Sequence, residues 1–115
     1  MTAPGLILAA PSSGCGKTVI TMALLRALHN SGVRIAAAKA GPDYIDPAFH
    51  GAACGRVCIN LDVWAMRSDT LAGLAGGLGE SADLILCEGV MGLFDGASGG
   101  GGSTADLAAA TGWPV

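Results

Sequence analysis

Apolar residues along this chain gather into short runs and helical stripes, separated by clusters of Gly, Pro and Ser. "GLILAA" (5–10) is a short apolar run ahead of such a cluster and predicts a buried strand. Next, Ile20, Ala23, Leu24, Ala27 and Leu28 recur at helical spacing, with Arg26, His29 and Asn30 on the wetter side and Gly32 as a stop. "VRIAAAKA" (33–40) predicts a second strand. Residues 5–40 therefore read as strand, glycine loop, helix, strand: a βαβ unit whose parallel strands need a crossover of this size.

"GPDYIDPAFHGAACG" (41–55) is too polar and too rich in Gly and Pro for a regular element, so a loop is expected. A short strand is expected around "VCINLD" (57–62). Ser68 or Asp69 is placed to cap a helix with Leu71, Leu74, Ala75 and Leu78 facing inward, although glycines at 73, 76, 77 and 79 weaken it. "ADLILCEG" (82–89) is the clearest later strand, apolar until it meets Glu88. "VMGLFDGASGGGGS" (90–103) reads as a long loop, after which Thr104 is placed to cap a short helix over "ADLAAAT". "GGGGS" (99–103) has the composition of a flexible linker, but a strand–loop–helix pattern runs straight through it, so it is read as part of the domain. A doubly wound sheet needs more strands than this pattern supplies, so the chain is expected to be an N-terminal fragment.

Composition narrows the partners. At 115 residues, half of them apolar and 13% charged, the chain is one domain or part of one and favours packed α/β layers over disorder. A net charge of −3 with six Lys and Arg argues against a broad footprint for nucleic acid or anionic lipid. No apolar run approaches the roughly 20 residues that span a bilayer, and no basic segment opens a signal peptide. Cys15, Cys54, Cys58 and Cys87 are thus expected as reduced thiols in a cytoplasmic protein. Cys54 and Cys58 have zinc-like spacing, but no second pair completes a tetrahedral site.

The chemistry starts at "APSSGCGKT" (10–18). A phosphate loop works by converging backbone N–H groups on an anion at a helix N-terminus. Gly14 and Gly16 suit that backbone, Lys17 would reach the β- and γ-phosphates, and the Thr18 hydroxyl would ligate Mg²⁺. Ser13 and Cys15 complete the ATP-binding loop, while Pro11 stands where the usual pattern has its first glycine. Ligands of open α/β sheets bind at the carboxyl ends of the strands, so Glu88 and Lys39, each ending a strand, point towards the same crevice. Glu88 is a candidate Mg²⁺ ligand. Asp43 and Asp46 follow Lys39 with Tyr44 between them, and acids beside a polyphosphate make sense only with a cation or cationic partner. Asp95 lies in the glycine-flanked loop after Glu88, whereas His29 and His50 receive no role and are expected on a helix surface and in a loop.

"APSSGCGKT", "KAGPDYIDPAFH", "NLDVW", "EGVMGLFDG" and "GSTADLAAATGWPV" together resemble the cobyrinic (hydrogenobyrinic) acid a,c-diamide synthase family, from about Leu6 to Val115. "GPDYIDP" in order with "EGVMGLFDG" is the specific part of the likeness. The resemblance implies an α/β, P-loop NTPase-like parallel sheet flanked by helices, similar to dethiobiotin synthetase and more distantly to MinD/ParA ATPases. It implies an ATP- and Mg²⁺-dependent ligase that amidates the a- and c-carboxylates of a corrinoid in cobalamin biosynthesis. Glutamine or ammonia would supply nitrogen, with a C-terminal glutaminase domain outside this chain and a homodimer left open. By the same likeness Lys17, Lys39, Asp43, Glu88 and Asp95 would be catalytic, and Thr18, Asp43 and Glu88 would hold the metal. Asp43, Tyr44, Ile45 and Asp46 would meet the substrate, and Asp95 would move with closure. MinD/ParA switches carry an additional lysine where this chain has Ser12, which counts against an ATP-switched binding module. A dethiobiotin-synthetase-like ligase and a synthase acting on nickel sirohydrochlorin are the remaining alternatives.

Overall fold

Strands form where the apolar runs are, and they assemble into one sheet. The computed structural model describes residues 3–115. In chain order the elements are β1 (Gly5–Leu8), α1 (Lys17–Asn30), β2 (Ile35–Ala40), α2 (Asp46–Cys54), β3 (Ile59–Leu61), α3 (Ser68–Gly79), β4 (Leu84–Glu88) and α4 (Thr104–Thr111). The strands lie in the order β1-β4-β2-β3 and every pairing is parallel. This is the α/β architecture the sequence pattern implies.

Both sheet faces are covered, which is why β2 and β4 are nearly continuous apolar sequence. Period-2 alternation sorts their residues into two cores. Ile35, Ala37 and Leu86 pack with Leu25 of α1 and Cys54 of α2. Ala36, Ala38, Ala40, Ile85 and Cys87 pack on the other face with Leu71 of α3 and Leu107 of α4. Register puts Leu8, Glu88, Lys39 and Asn60 in one row at the carboxyl end of the sheet. Lys39 and Glu88 extend the Ile35–Ala37 and Leu84–Leu86 stripes, so they emerge on the α1/α2 face, where each stripe turns from apolar to charged.

Several expectations are corrected. Residues 46–54 of the expected loop are helix α2. The Asp43 carboxylate accepts from the N–H groups of Ile45 and Asp46 (2.8 and 3.0 Å) and so substitutes for a side-chain cap. Pro47 sits in the first turn, where a missing N–H costs nothing, and Gly55 at φ 74° ends the helix. In α1 the fully buried positions are Thr21 and Leu25, while Ile20 and Leu24 are exposed. Thr21 can be buried because its hydroxyl donates to the Lys17 carbonyl at 2.7 Å. At α3 neither Ser68 nor Asp69 is the cap; Arg67 holds that position without a side-chain bond. Ser103, not Thr104, caps α4, through a reciprocal box with Asp106. The Thr104 hydroxyl instead accepts from the N–H of Val90 (2.9 Å) and ties the loop after β4 to the helix.

The glycine run 99–102 is ordered structure. Ala97 N–H donates to Gly101 O (2.9 Å) and Gly100 N–H to Ala97 O (2.8 Å). Gly102, at φ 80°, lies so close to Trp64 that a Cβ there would come within 2.8 Å of the Trp64 Cβ.

Candidate nucleotide and metal site

The phosphate loop enters α1 through Gly16, whose φ of 83° is a left-handed conformation that glycine adopts freely. Gly16 offers no side-chain cap, so the first amides of α1 remain available to an anion. Gly14 is also left-handed, at φ 76°. Ser13 and Cys15 are exposed in the same loop, and Lys17 opens the helix half-buried. Pro11 has a definite place: a Cβ at Gly92 would lie 2.4 Å from the Pro11 carbonyl oxygen, and Leu93 N–H donates to Ala10 O (2.8 Å). The loop after β4 is thus seated directly on the entry to the phosphate loop.

Thr18 brings that loop to the sheet. Its hydroxyl lies 3.0 Å from Glu88 Oε2 and 3.4 Å from Asp46 Oδ2. Lys39 Nζ contacts the same two groups, at 2.6 Å from Glu88 Oε2 and 3.1 Å from Asp46 Oδ2, and donates to Gly89 O at 3.1 Å. Thr18, Lys39, Asp46 and Glu88, drawn from α1, β2, α2 and β4, therefore meet at one rim of the sheet. Asp43 stands at the edge of the cluster: its Oδ2 lies 3.9 Å from Lys39 Nζ, and its Oδ1 accepts from the N–H groups of Ile45 and Asp46. Asn60 Nδ2 secures the connecting loop by donating to the carbonyls of Gly41 and Asp43 (2.7 and 3.1 Å).

His50, expected in a loop without a role, is fully buried on α2, and its Nε2 lies 2.7 Å from Glu88 Oε1. Only its position one turn after Asp46 could have signalled this, once a helix was recognised there. Tyr44 and Ile45 stand exposed beside the cluster. Asp95 is not brought into it; its carboxylate accepts from Gly92 N–H (2.9 Å) and shapes the loop that rests on Pro11.

A profile of the CobQ/CobB/MinD/ParA nucleotide-binding domain matches residues 6–111. The chain belongs to that family. It is similar to the hydrogenobyrinate a,c-diamide synthase of Rhizobium meliloti (strain 1021), with 56% identity over 111 residues, 96% of this chain and 26% of that protein. The enzymes of the same name from Brucella anthropi and Rhodobacter capsulatus are 55% and 53% identical over 112 and 115 residues, again 96% of this chain and 26% of theirs. The chain thus spans about a quarter of the length of these relatives. No described helix is long and apolar enough to cross a membrane.

Electrostatics at the cluster favour ionised groups. Burial pushes the Glu88 carboxyl up, but hydrogen bonds from His50 and Lys39 and the Lys39 charge outweigh it and hold it at about 2. Since an ionised Glu88 can only accept, His50 Nε2 carries the hydrogen between them. Burial likewise opposes the Lys39 charge, yet Glu88 and Asp46 raise its pKa above the ordinary lysine value. Asp43 is lowered by the Ile45 and Asp46 amides and by Lys39, against a burial effect of opposite sign. Burial drives the Cys58 and Cys87 thiols up to about 12, so these are packing residues rather than nucleophiles.

Two carboxylates and a hydroxyl beside a phosphate loop are the hard oxygen donors that Mg²⁺ takes. Glu88 is 0% exposed and already has cationic Lys39 against it, so the cradle is built for positive charge. The donor set is chemically suited to a divalent cation such as Mg²⁺.

Proposed function

We propose that these residues form the nucleotide- and metal-holding part of an ATP-dependent ligase that amidates the a- and c-carboxylates of a corrin ring. The observation that carries this reading is the meeting of Thr18, Lys39, Asp46 and Glu88 at the head of the phosphate-loop helix. Similarity to hydrogenobyrinate a,c-diamide synthases supports the corrinoid as substrate. Residues 1–115 are read as the N-terminal part of the synthetase domain, with glutamine hydrolysed in a separate glutaminase domain of the full-length protein to supply ammonia.

A carboxylate at neutral pH is a poor electrophile, and transfer of the ATP γ-phosphoryl group to it creates an acyl phosphate that ammonia can attack. Such transfer depends chiefly on positioning and charge neutralisation. The α1 amides and Lys17 hold the phosphates, with Ser13, Gly14, Cys15 and Gly16 forming the cradle. Thr18, Glu88 and Asp46 would hold Mg²⁺, with Asp43 supporting them by positioning the start of α2. Charge neutralisation on the phosphates is the chemistry such an ion would supply there. Lys39 balances the carboxylates and places a second ammonium group at the same rim as Lys17. Tyr44 and Ile45 offer exposed apolar surface to the ring, and Asp95 keeps the loop after β4 on the phosphate loop during closure.

The test uses the full-length protein with hydrogenobyrinate carrying ¹⁸O in its carboxylates. The expected result is phosphate release only with the corrinoid present, one ¹⁸O passing to phosphate for each amide formed. Equal ATP hydrolysis with and without corrinoid, or phosphate free of ¹⁸O, would refute the reading.

A further inference from the structure

Of the ring nitrogens of His50, only Nε2 has a partner; Nδ1 is buried with none among the described residues. A buried polar atom without a partner is destabilising, and an aliphatic side chain in the same space would avoid that cost. Packing therefore does not explain a histidine here, and the explanation has to lie at Nε2. That nitrogen meets Glu88 Oε1 at 2.7 Å, while Lys39 and Thr18 both engage Oε2. The two carboxylate oxygens are thus divided between a fully buried ring behind and the phosphate-loop side in front. We infer that His50 is a positioning residue that fixes the carboxylate plane of Glu88, so that Oε2 faces Thr18 and the nucleotide's metal.

The inference rests on the proposed metal-holding role of Glu88. α2 supports it by carrying both parts: Asp46 and His50, four positions apart, lie on one face of the helix and converge on the same carboxylate–ammonium pair. With a nonpolar residue at position 50, Glu88 would keep its charge but lose its orientation. The cost would fall on the metal and spare the phosphate cradle.

The experiment compares His50→Leu, His50→Gln, His50→Asn and Glu88→Gln in the full-length protein. Mn²⁺ binding in the presence of ADP is read by electron paramagnetic resonance, and ADP binding in EDTA by calorimetry. Loss of a group that orients a metal ligand weakens metal affinity by about 10- to 100-fold. H50L is expected to show that loss while its ADP affinity in EDTA stays within about twofold of the parent. H50Q, whose amide N–H can stand where Nε2 does, is expected to recover most of it. H50N, too short to reach Glu88, should behave like H50L. If H50L does not fold, the contrast between the Gln and Asn variants decides. Mn²⁺ affinity unchanged in H50L, or equal in H50Q and H50N, would overturn the inference. If E88Q also leaves Mn²⁺ affinity unchanged, the metal-holding role of Glu88 fails with it; if E88Q weakens Mn²⁺ and H50L does not, only the role of His50 is lost.

Discussion

Replacing Lys39 by Met leaves Glu88 with its charge, fully buried, and with His50 and Thr18 as its remaining partners. Breaking a buried ion pair from one side costs about 3–5 kcal/mol, because the surviving charge is uncompensated. The carboxyl gives a similar figure independently. Its fall from 4.5 to about 2 corresponds to roughly 3 kcal/mol of net stabilisation of the ionised form, what His50, Lys39 and Thr18 together contribute beyond the cost of burial. Hydrogen–deuterium exchange of β2 and β4 peptides reads the local opening free energy whatever the length of the surrounding chain. About 3 kcal/mol appears there as roughly a hundredfold loss of protection at pH 7. The double variant Lys39→Met/Glu88→Gln removes the orphaned charge and should regain most of the protection. Because the folded-state pKa of Glu88 is depressed, its contribution is complete above pH 4.5 and disappears as pH falls from there through about 2. The gap between parent and single variant should therefore narrow over the same window. Protection reduced by less than about threefold, or a double variant no better than the single, would refute the reasoning.

Three other substitutions probe neighbouring parts. Gly92→Ala forces a Cβ to within 2.4 Å of the Pro11 carbonyl oxygen, so ATP affinity should fall at least about tenfold in a calorimetric titration. Affinity like that of the parent would mean that the loop after β4 does not hold the phosphate loop. Ser103→Ala breaks the capping box of α4 and should cost about 1 kcal/mol, read as faster exchange of the helix's first amides. Gly5→Ala places a Cβ within 2.2 Å of the Trp113 ring; overpacking of this kind costs about 1–3 kcal/mol and should lower the melting temperature, and an unshifted transition would show that Trp113 can move aside.

The strands were legible because each is an apolar run bounded by Gly, Pro or charge, and β4 announces its own end with Glu88. The phosphate loop was legible because its chemistry is local. α2 was not, since Pro47 reads as a breaker unless it is recognised as a first-turn residue with Asp43 satisfying the amides before it. The inward face of α1 was misphased because Val19, Ile20, Leu24, Leu25 and Leu28 wrap most of the helix, and the buried Thr21 satisfies its hydroxyl within the helix itself. His50 had no signal beyond its position one turn after Asp46: its partner is 38 positions away, and only the fold brings the two together.

β4 fills the slot between β1 and β2. As the chain leaves the ribosome, β1 and β2 therefore come out first as a pair one strand-width apart, with no hydrogen bonds of their own to hold them. Arrival of residues 84–88 closes both ladders at once, and the same segment delivers Glu88. Sheet closure and delivery of the carboxylate are a single event, so a nascent chain stalled before it holds a phosphate loop without its buried carboxylate and an open, apolar gap for chaperones to guard.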